Sequence, residues 1–244
     1  MQEKQNNTGL VWFRNDLRVL DNLVLQEAIN NHKHVITCYC FDPKHYDTSE
    51  FGFKKTEKFR ARFLIETVQD LKANLKSLNI ELFVFHKTPE TSIPKLVEEF
   101  KIDSIYLQKE WTSEEVDVLN TVKKAVSKEI NFHQYYNQFL YHPDDIDMLF
   151  SEIPQVFTDF RKKVEKLSSV RASIKPTTAE KIENIENNSV IPTLEDLGFE
   201  SFETHPKSAF PFKGGEHSAV DRLDNYFFET KKLGFYKKTG NGLI

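Results

Sequence analysis

Leu82-Phe-Val-Phe85, Pro89-Glu-Thr-Ser-Ile-Pro-Lys-Leu-Val-Glu-Glu-Phe100 and Ser104-Ile-Tyr-Leu107 follow one another with only short polar joints between them. The outer two are brief apolar runs of aromatic and branched residues, which favour strands. The middle one opens on Pro89 and carries Glu90 in its first turn, as a helix start does. A strand, a helix of ten or more residues and a second strand form a unit whose strands lie parallel. Its crossover is right-handed.

The same alternation extends in both directions. Upstream, Leu10–Phe13 reads as a buried strand between Gly9 and the charged stretch Arg14–Arg18. Asp21-Asn22 opens a first helix over Leu23–Ile29, with Asp21 as its cap. Val35–Phe41 is a second strand, ended by Asp42-Pro43. Between Glu57 and Leu78, Phe59, Phe63, Leu64, Val68, Leu71, Leu75 and Leu78 recur at three- and four-residue steps, the pattern of a long amphipathic helix. Downstream come a helix over Thr112–Lys128 and a fifth strand over Asn131–Tyr135. The expected fold is therefore α/β: a Rossmann-like, doubly wound, five-stranded parallel sheet, occupying residues 1–140. Residues 141–213 read as a connector with short helices, one over Pro154–Lys166. Its stretch Pro176–Pro192 is polar and reads as exposed. A further helix over Gly215–Leu233 makes residues 214–244 the start of another unit, and the ending at Ile244 looks arbitrary for a folded unit.

Composition narrows the function classes. Hydrophobic residues make up 39% of the 244 positions and Phe alone counts 21, enough for a sizeable core. A net charge of −4 is not that of a domain that holds nucleic acid over its whole surface. Cys38 and Cys40 point to one face of a strand, a geometry that suits burial and not a disulfide or a four-ligand metal site. The first eight residues are polar and show no targeting pattern. No run of 18 apolar residues occurs, so no membrane span is expected, and the expected location is cytoplasmic.

In a sheet of this kind the strand order reverses between the first and fourth strands, and ligands bind beyond the carboxyl ends at that point. Two loops face it: Arg14-Asn15-Asp16 and Gln108-Lys109-Glu110-Trp111. The first has no glycine, which disfavours a GxGxxG dinucleotide turn. In the second, Thr112-x-x-Glu115 is a capping box, leaving Glu110 and Trp111 between strand and helix. A carboxylate there can accept from the amino and ring N–H groups of a pterin or purine, or simply pair with Arg14 or Lys109. Arg14, Asp16 and Arg18 read as a grip on a ligand or, more simply, as a salt-bridge cluster locking their loop. Arg161-Lys162-Lys163 and Lys54, Lys55, Lys58, Arg60 read as solvated faces. No Ser/His/Asp constellation, HExxH, CxxC or P-loop is present, so the chain shows no self-contained active site.

Several segments together resemble the photolyase/cryptochrome family, and its DASH group in particular. They are Gly9-Leu-Val-Trp-Phe-Arg-Asn-Asp-Leu-Arg18 with Asp21-Asn22, Phe51-Gly-Phe-Lys-Lys-Thr56 with Phe59-Arg60, Lys109-Glu-Trp-Thr-Ser-Glu-Glu115, Leu140-Tyr-His-Pro-Asp144, Val156-Phe-Thr-Asp-Phe-Arg-Lys162, Gly214-Gly-Glu216 and Tyr236-Lys-Lys-Thr239. The resemblance implies a blue-light protein whose N-terminal domain carries an antenna chromophore, usually methenyltetrahydrofolate, near the cleft to an all-helical domain that holds FAD and receives damaged DNA. It implies light-driven repair of cyclobutane pyrimidine dimers, mainly in single-stranded DNA, or photoreception without repair. On that resemblance Glu110 matches an antenna-binding carboxylate, with Glu114 as a second candidate and Lys109 and Asn15 beside them. Tyr236 matches a flavin-contacting tyrosine, Trp111 stands where a smaller apolar residue is usual, and Gly240 stands where an arginine facing DNA is usual. The catalytic machinery, and the FAD domain with it, would lie beyond these residues, leaving methenyltetrahydrofolate weakly held or absent. A standalone folate- or nucleotide-binding module is the other reading that the sequence allows.

Overall fold

The computed structural model describes residues 5–208 and 210–235. Five strands form one sheet: β1 (Gln5–Trp12), β2 (His32–Cys40), β3 (Glu81–Phe85), β4 (Ser104–Gln108) and β5 (Asn131–Tyr135). All pair in parallel in the order β3-β2-β1-β4-β5, so the order reverses between β1 and β4 as expected.

β3, β4 and the later parts of β1 and β2 are mostly apolar and buried because both faces of the sheet are covered there, whereas β5 at the edge is polar and half-exposed. Val11, Val35, Tyr39, Leu82, Val84 and Tyr106 point to one side. There they meet α1 (Leu23–Asn31) through Leu25 and Ile29, and α2 (Lys58–Ser77) through Val68, Leu71 and Leu75. Their sequence neighbours Leu10, Trp12, Ile36, Cys38, Phe83, Ile105 and Leu107 point to the other side. That side holds α3 (Pro89–Phe100) through Ile93 and Leu96, and α4 (Ser113–Ala125) through Leu119 and Val122. The period of two thus divides the buried apolar strand residues between two cores. Both cysteines are free; Cys38 is buried, and burial pushes the Cys40 thiol up to about 12.

Helix ends depart from expectation in two places. Asn22, not Asp21, caps α1: its side chain accepts from the Leu25 N–H at 3.0 Å. Asp21 instead turns the chain at a φ of 50°. At α4, Thr112 occupies the cap position but makes no side-chain cap bond, so the capping box is not closed. Its intended partner Glu115 lines a cleft with Arg14 instead.

After β5 the chain wraps the α/β layer. It passes α5 (Phe157–Leu167), then runs without regular structure to α6 (Glu216–Asp224), which continues as a π-turn over Asn225–Glu229. The stretch expected to be an exposed connector is pinned at several points. Ala179 is buried, Ile182 and Ile185 pack on the α3/α4 side, and Ile191 packs on the α1/α2 side. The Asn187 amide donates to the Leu82 carbonyl at 2.9 Å, and the Ser189 hydroxyl accepts from the Val84 N–H at 2.9 Å. These bonds cover the free edge of β3, which would otherwise be open to pairing.

Candidate functional site

The reversal brings the loops after β1 and β4 side by side. Asn15 donates to Glu110 Oε1 at 3.0 Å, and Gln108, the buried last residue of β4, donates to the same oxygen at 2.7 Å. No hydrogen bond among the described residues reaches Glu110 Oε2. The half-buried carboxylate is therefore held by two neutral amides through one oxygen and keeps acceptor capacity on the other. It forms no ion pair with Arg14 or Lys109 within 4 Å among the described residues.

Lys109 is fixed through its backbone, its N–H donating to the Tyr135 carbonyl at 2.7 Å while its own carbonyl accepts from Gln138 at 2.9 Å. Its exposed ammonium sits 4.7 Å above the centre of the Tyr136 ring. Trp111 stacks on Phe139 at 5.3 Å and 17° between planes, with Tyr136 6.1 Å away.

On the β2 side a cleft of about 300 Å³ opens between Trp12, Arg14, Asn15, Asp42, Lys55 and Glu114. Glu114 lies on its wall and is ion-paired with Lys55. Arg14 lies over the Trp12 ring at 5.1 Å and donates through Nη2 to the Glu115 carbonyl at 2.9 Å, while its buried Nη1 has no partner. Burial holds this guanidinium below its ordinary value, against the opposing pull of Glu110, Glu115 and Asp16. Asp16 is 1% exposed; one oxygen accepts from the Arg14 N–H at 3.1 Å and the other has no partner. Burial holds its carboxyl above the ordinary range.

The expected salt-bridge cluster at Arg14, Asp16 and Arg18 is not what locks this loop. Arg18 donates to the carbonyls of Leu20, Asp21 and Asn137 at 2.8–3.1 Å, because those backbone acceptors are orphaned by the turn. Glu216 adds to the lock, accepting from the Val19 and Leu20 N–H groups at 3.1 and 2.7 Å. Gly214 permits that approach: a Cβ there would stand 2.6 Å from Thr67 Oγ1.

The structure thus joins Asn15 to Glu110, leaves Lys109 beside Glu110 with its ammonium over Tyr136, and sets Glu114 with Asn15 on the adjoining cleft. Tyr236 and Gly240 lie outside the described residues. Sequence reasoning passed over Gln108 as a site residue; an amide closing an otherwise apolar strand was the signal. Glu216 was visible only as part of a motif, since its partners lie almost two hundred positions upstream.

The profile of the DNA photolyase family matches residues 9–181. A "Cryptochrome DASH" of Gloeobacter violaceus is 39% identical over 239 residues, covering 97% of this chain and 48% of that protein. A "Cryptochrome DASH" of Xenopus laevis is 38% identical over 237 residues, covering 95% and 45%. Among solved structures, a Synechocystis cryptochrome superposes with a TM-score of 0.87 at 32% identity, over 98% of this chain and 50% of that one. The chain spans about half the length of these relatives.

Proposed function

Because this chain belongs to the DNA photolyase family, on the side of its DASH cryptochromes, we propose that it is the antenna-chromophore domain of a cytoplasmic blue-light flavoprotein. In this reading residues 1–140 form the light-harvesting domain, 141–213 the connector and 214–244 the start of the FAD-binding domain. The rest of that domain would fall in the half of the relatives that this chain does not span. The whole protein would repair cyclobutane pyrimidine dimers in single-stranded DNA, its flavin supplying the electron and a methenyltetrahydrofolate supplying light capture. No helix among the described residues is long and apolar enough to cross a membrane.

One observation carries the reading: Glu110 presents a free oxygen at the sheet's reversal point while Asn15 and Gln108 hold the other. A pterin offers an amino group and a ring N–H side by side, and an oriented carboxylate accepts from such a pair. Asn15 would flank the ring, Lys109 would meet the folate beyond it, and Glu114 would stay with Lys55. The pocket is shared with the FAD domain, so this chain alone is expected to hold the folate weakly. The test is titration with 5,10-methenyltetrahydrofolate followed by its near-ultraviolet absorption. Glu110→Gln should weaken binding roughly tenfold or more, the cost of a charge-assisted hydrogen bond in a partly desolvated site. Unchanged affinity removes Glu110 from the site, and tight stoichiometric binding contradicts a shared pocket.

A self-standing nucleotide-binding module is the second reading, favoured by the unpartnered Arg14 Nη1 in the adjoining cleft. It requires micromolar binding of a nucleoside phosphate that Arg14→Met abolishes. Repair of a dimer-containing oligonucleotide by the whole protein would decide between repair and photoreception.

A further inference from the structure

Trp111 and Phe139 come from different loops, one after β4 and one after β5, yet stack nearly parallel at 5.3 Å. Both remain about half exposed, at 53% and 46%. With Tyr136 6.1 Å from Trp111 they form a contiguous aromatic patch, and contiguous exposed apolar patches mark interaction sites. The stack begins one residue from Glu110, and the Lys109 ammonium stands over Tyr136 on the same loop pair. Strand order places the Glu110 loop next to the loop after β5, so the carboxylate and the aromatic pair are neighbours at the same end of the sheet. A folate carries, in order, a hydrogen-bonding pterin, an aminobenzoyl ring and glutamate carboxylates.

We propose that the Trp111–Phe139 pair is the platform for the aminobenzoyl ring of the antenna folate, and that Lys109 receives its glutamate carboxylate. This makes Trp111 a specificity residue that selects a tailed folate over a bare pterin. The proposal rests on the antenna reading of Glu110 and adds to it the half of the ligand that Glu110 does not touch. Lys109 is suited to the task because no carboxylate of the described residues lies within 4 Å of its ammonium.

The experiment compares two probes on the 244-residue chain: 5,10-methenyltetrahydrofolate and pterin-6-carboxylate, which lacks the aminobenzoylglutamate tail. Trp111→Leu should weaken the folate about three- to tenfold, the range of a lost aromatic pair, and Trp111→Phe should restore most of it. Lys109→Met should weaken the folate by a similar factor. Neither change should alter pterin-6-carboxylate binding by more than about twofold, an outcome that general damage to the loop would not give. Glu110→Gln should weaken both probes. Folate affinity unmoved by Trp111→Leu, with Glu110→Gln still weakening it, overturns the platform and leaves the antenna reading intact; that result would assign the patch to domain contact. Equal loss of both probes on Trp111→Leu also overturns it. No folate signal up to millimolar concentration overturns the platform, which requires these residues to hold the tail on this chain.

Discussion

Asp16 shows how far burial can shape a single side chain in this fold. It sits against the loop that ends β1, with one oxygen bonded to the Arg14 N–H and one unpartnered. Its folded carboxyl holds a proton more tightly than the ordinary value of 3.8 because burial outweighs the help of Arg18 and the backbone. Between the unfolded and the raised folded value, the native state binds more protons than the unfolded chain. Stability from this group therefore falls as pH rises through that window and stays low above it. Asn in its place has the same shape and no charge. Asp16→Asn should be neutral or stabilising near pH 7, and its advantage should shrink as the pH falls towards about 4. Urea unfolding of both proteins at matched pH values measures the difference. An advantage that grows on acidification would mean that the ionised carboxylate is held by Arg14 and Arg18 as a net gain.

The elements were legible where periodicity is strong and illegible where a partner lies far along the chain. All five strands and the helices α2 and α3 follow from apolar spacing, within three residues at their ends except β1, which begins five residues before the apolar run Leu10–Phe13. Register at helix starts did not follow: two adjacent cap-forming residues, Asp21 and Asn22, compete, and Asn22 wins because it also bonds the Asp16 and Arg18 carbonyls and Asn137. Glu110 was readable because strand order alone places its loop at the reversal. Asn187, Ser189 and Ala179 were hidden in a polar stretch, since nothing local says that the first two cover β3 or that the third enters the α1/α2 core. The seat of α6 belongs with these. Gly214 donates to Glu66 at 2.7 Å, Gly215 turns at a φ of 109°, and the His217 N–H reaches Asp70 at 3.2 Å. A Cβ at position 214 would collide with the α2 backbone at Phe63. Gly214→Ala should therefore lift α6 off α2, at a cost of about 1–3 kcal/mol. Hydrogen exchange would show it: amides of residues 216–224 should exchange faster while those of β1 and β4 do not. Uniform acceleration would mean that α6 is integral to the global fold.

Across the whole molecule, the sheet shares two cores, and only one of them is closed by residues close in sequence. The α3/α4 side is built almost wholly from residues before 133. The α1/α2 side needs Ala179 and Leu197, both buried, with Ile191, Leu194 and Phe199 packed against them. The same late segment supplies the hydrogen bonds along β3 and places Lys54 over Phe199 at 4.2 Å. A chain ending at residue 140 keeps every strand and loses all of this. Each fully buried Leu-sized side chain contributes ~1.5–3 kcal/mol, so losing Leu197 with the partly buried Ile191 and Phe199 removes roughly 3–6 kcal/mol. That is a large share of the 5–15 kcal/mol usual for a domain, and the opened β3 edge adds a route to aggregation. The chain cut at 140 should therefore unfold at a markedly lower urea concentration than one cut at 208, and should associate on concentration. The Glu110 crevice lies on the far side of β1 from that segment, so a weakly stable 1–140 chain should still present Asn15, Gln108 and Glu110 when folded. Equal urea midpoints for the two chains would show that the wrap after residue 140 decorates the α/β layer without completing it.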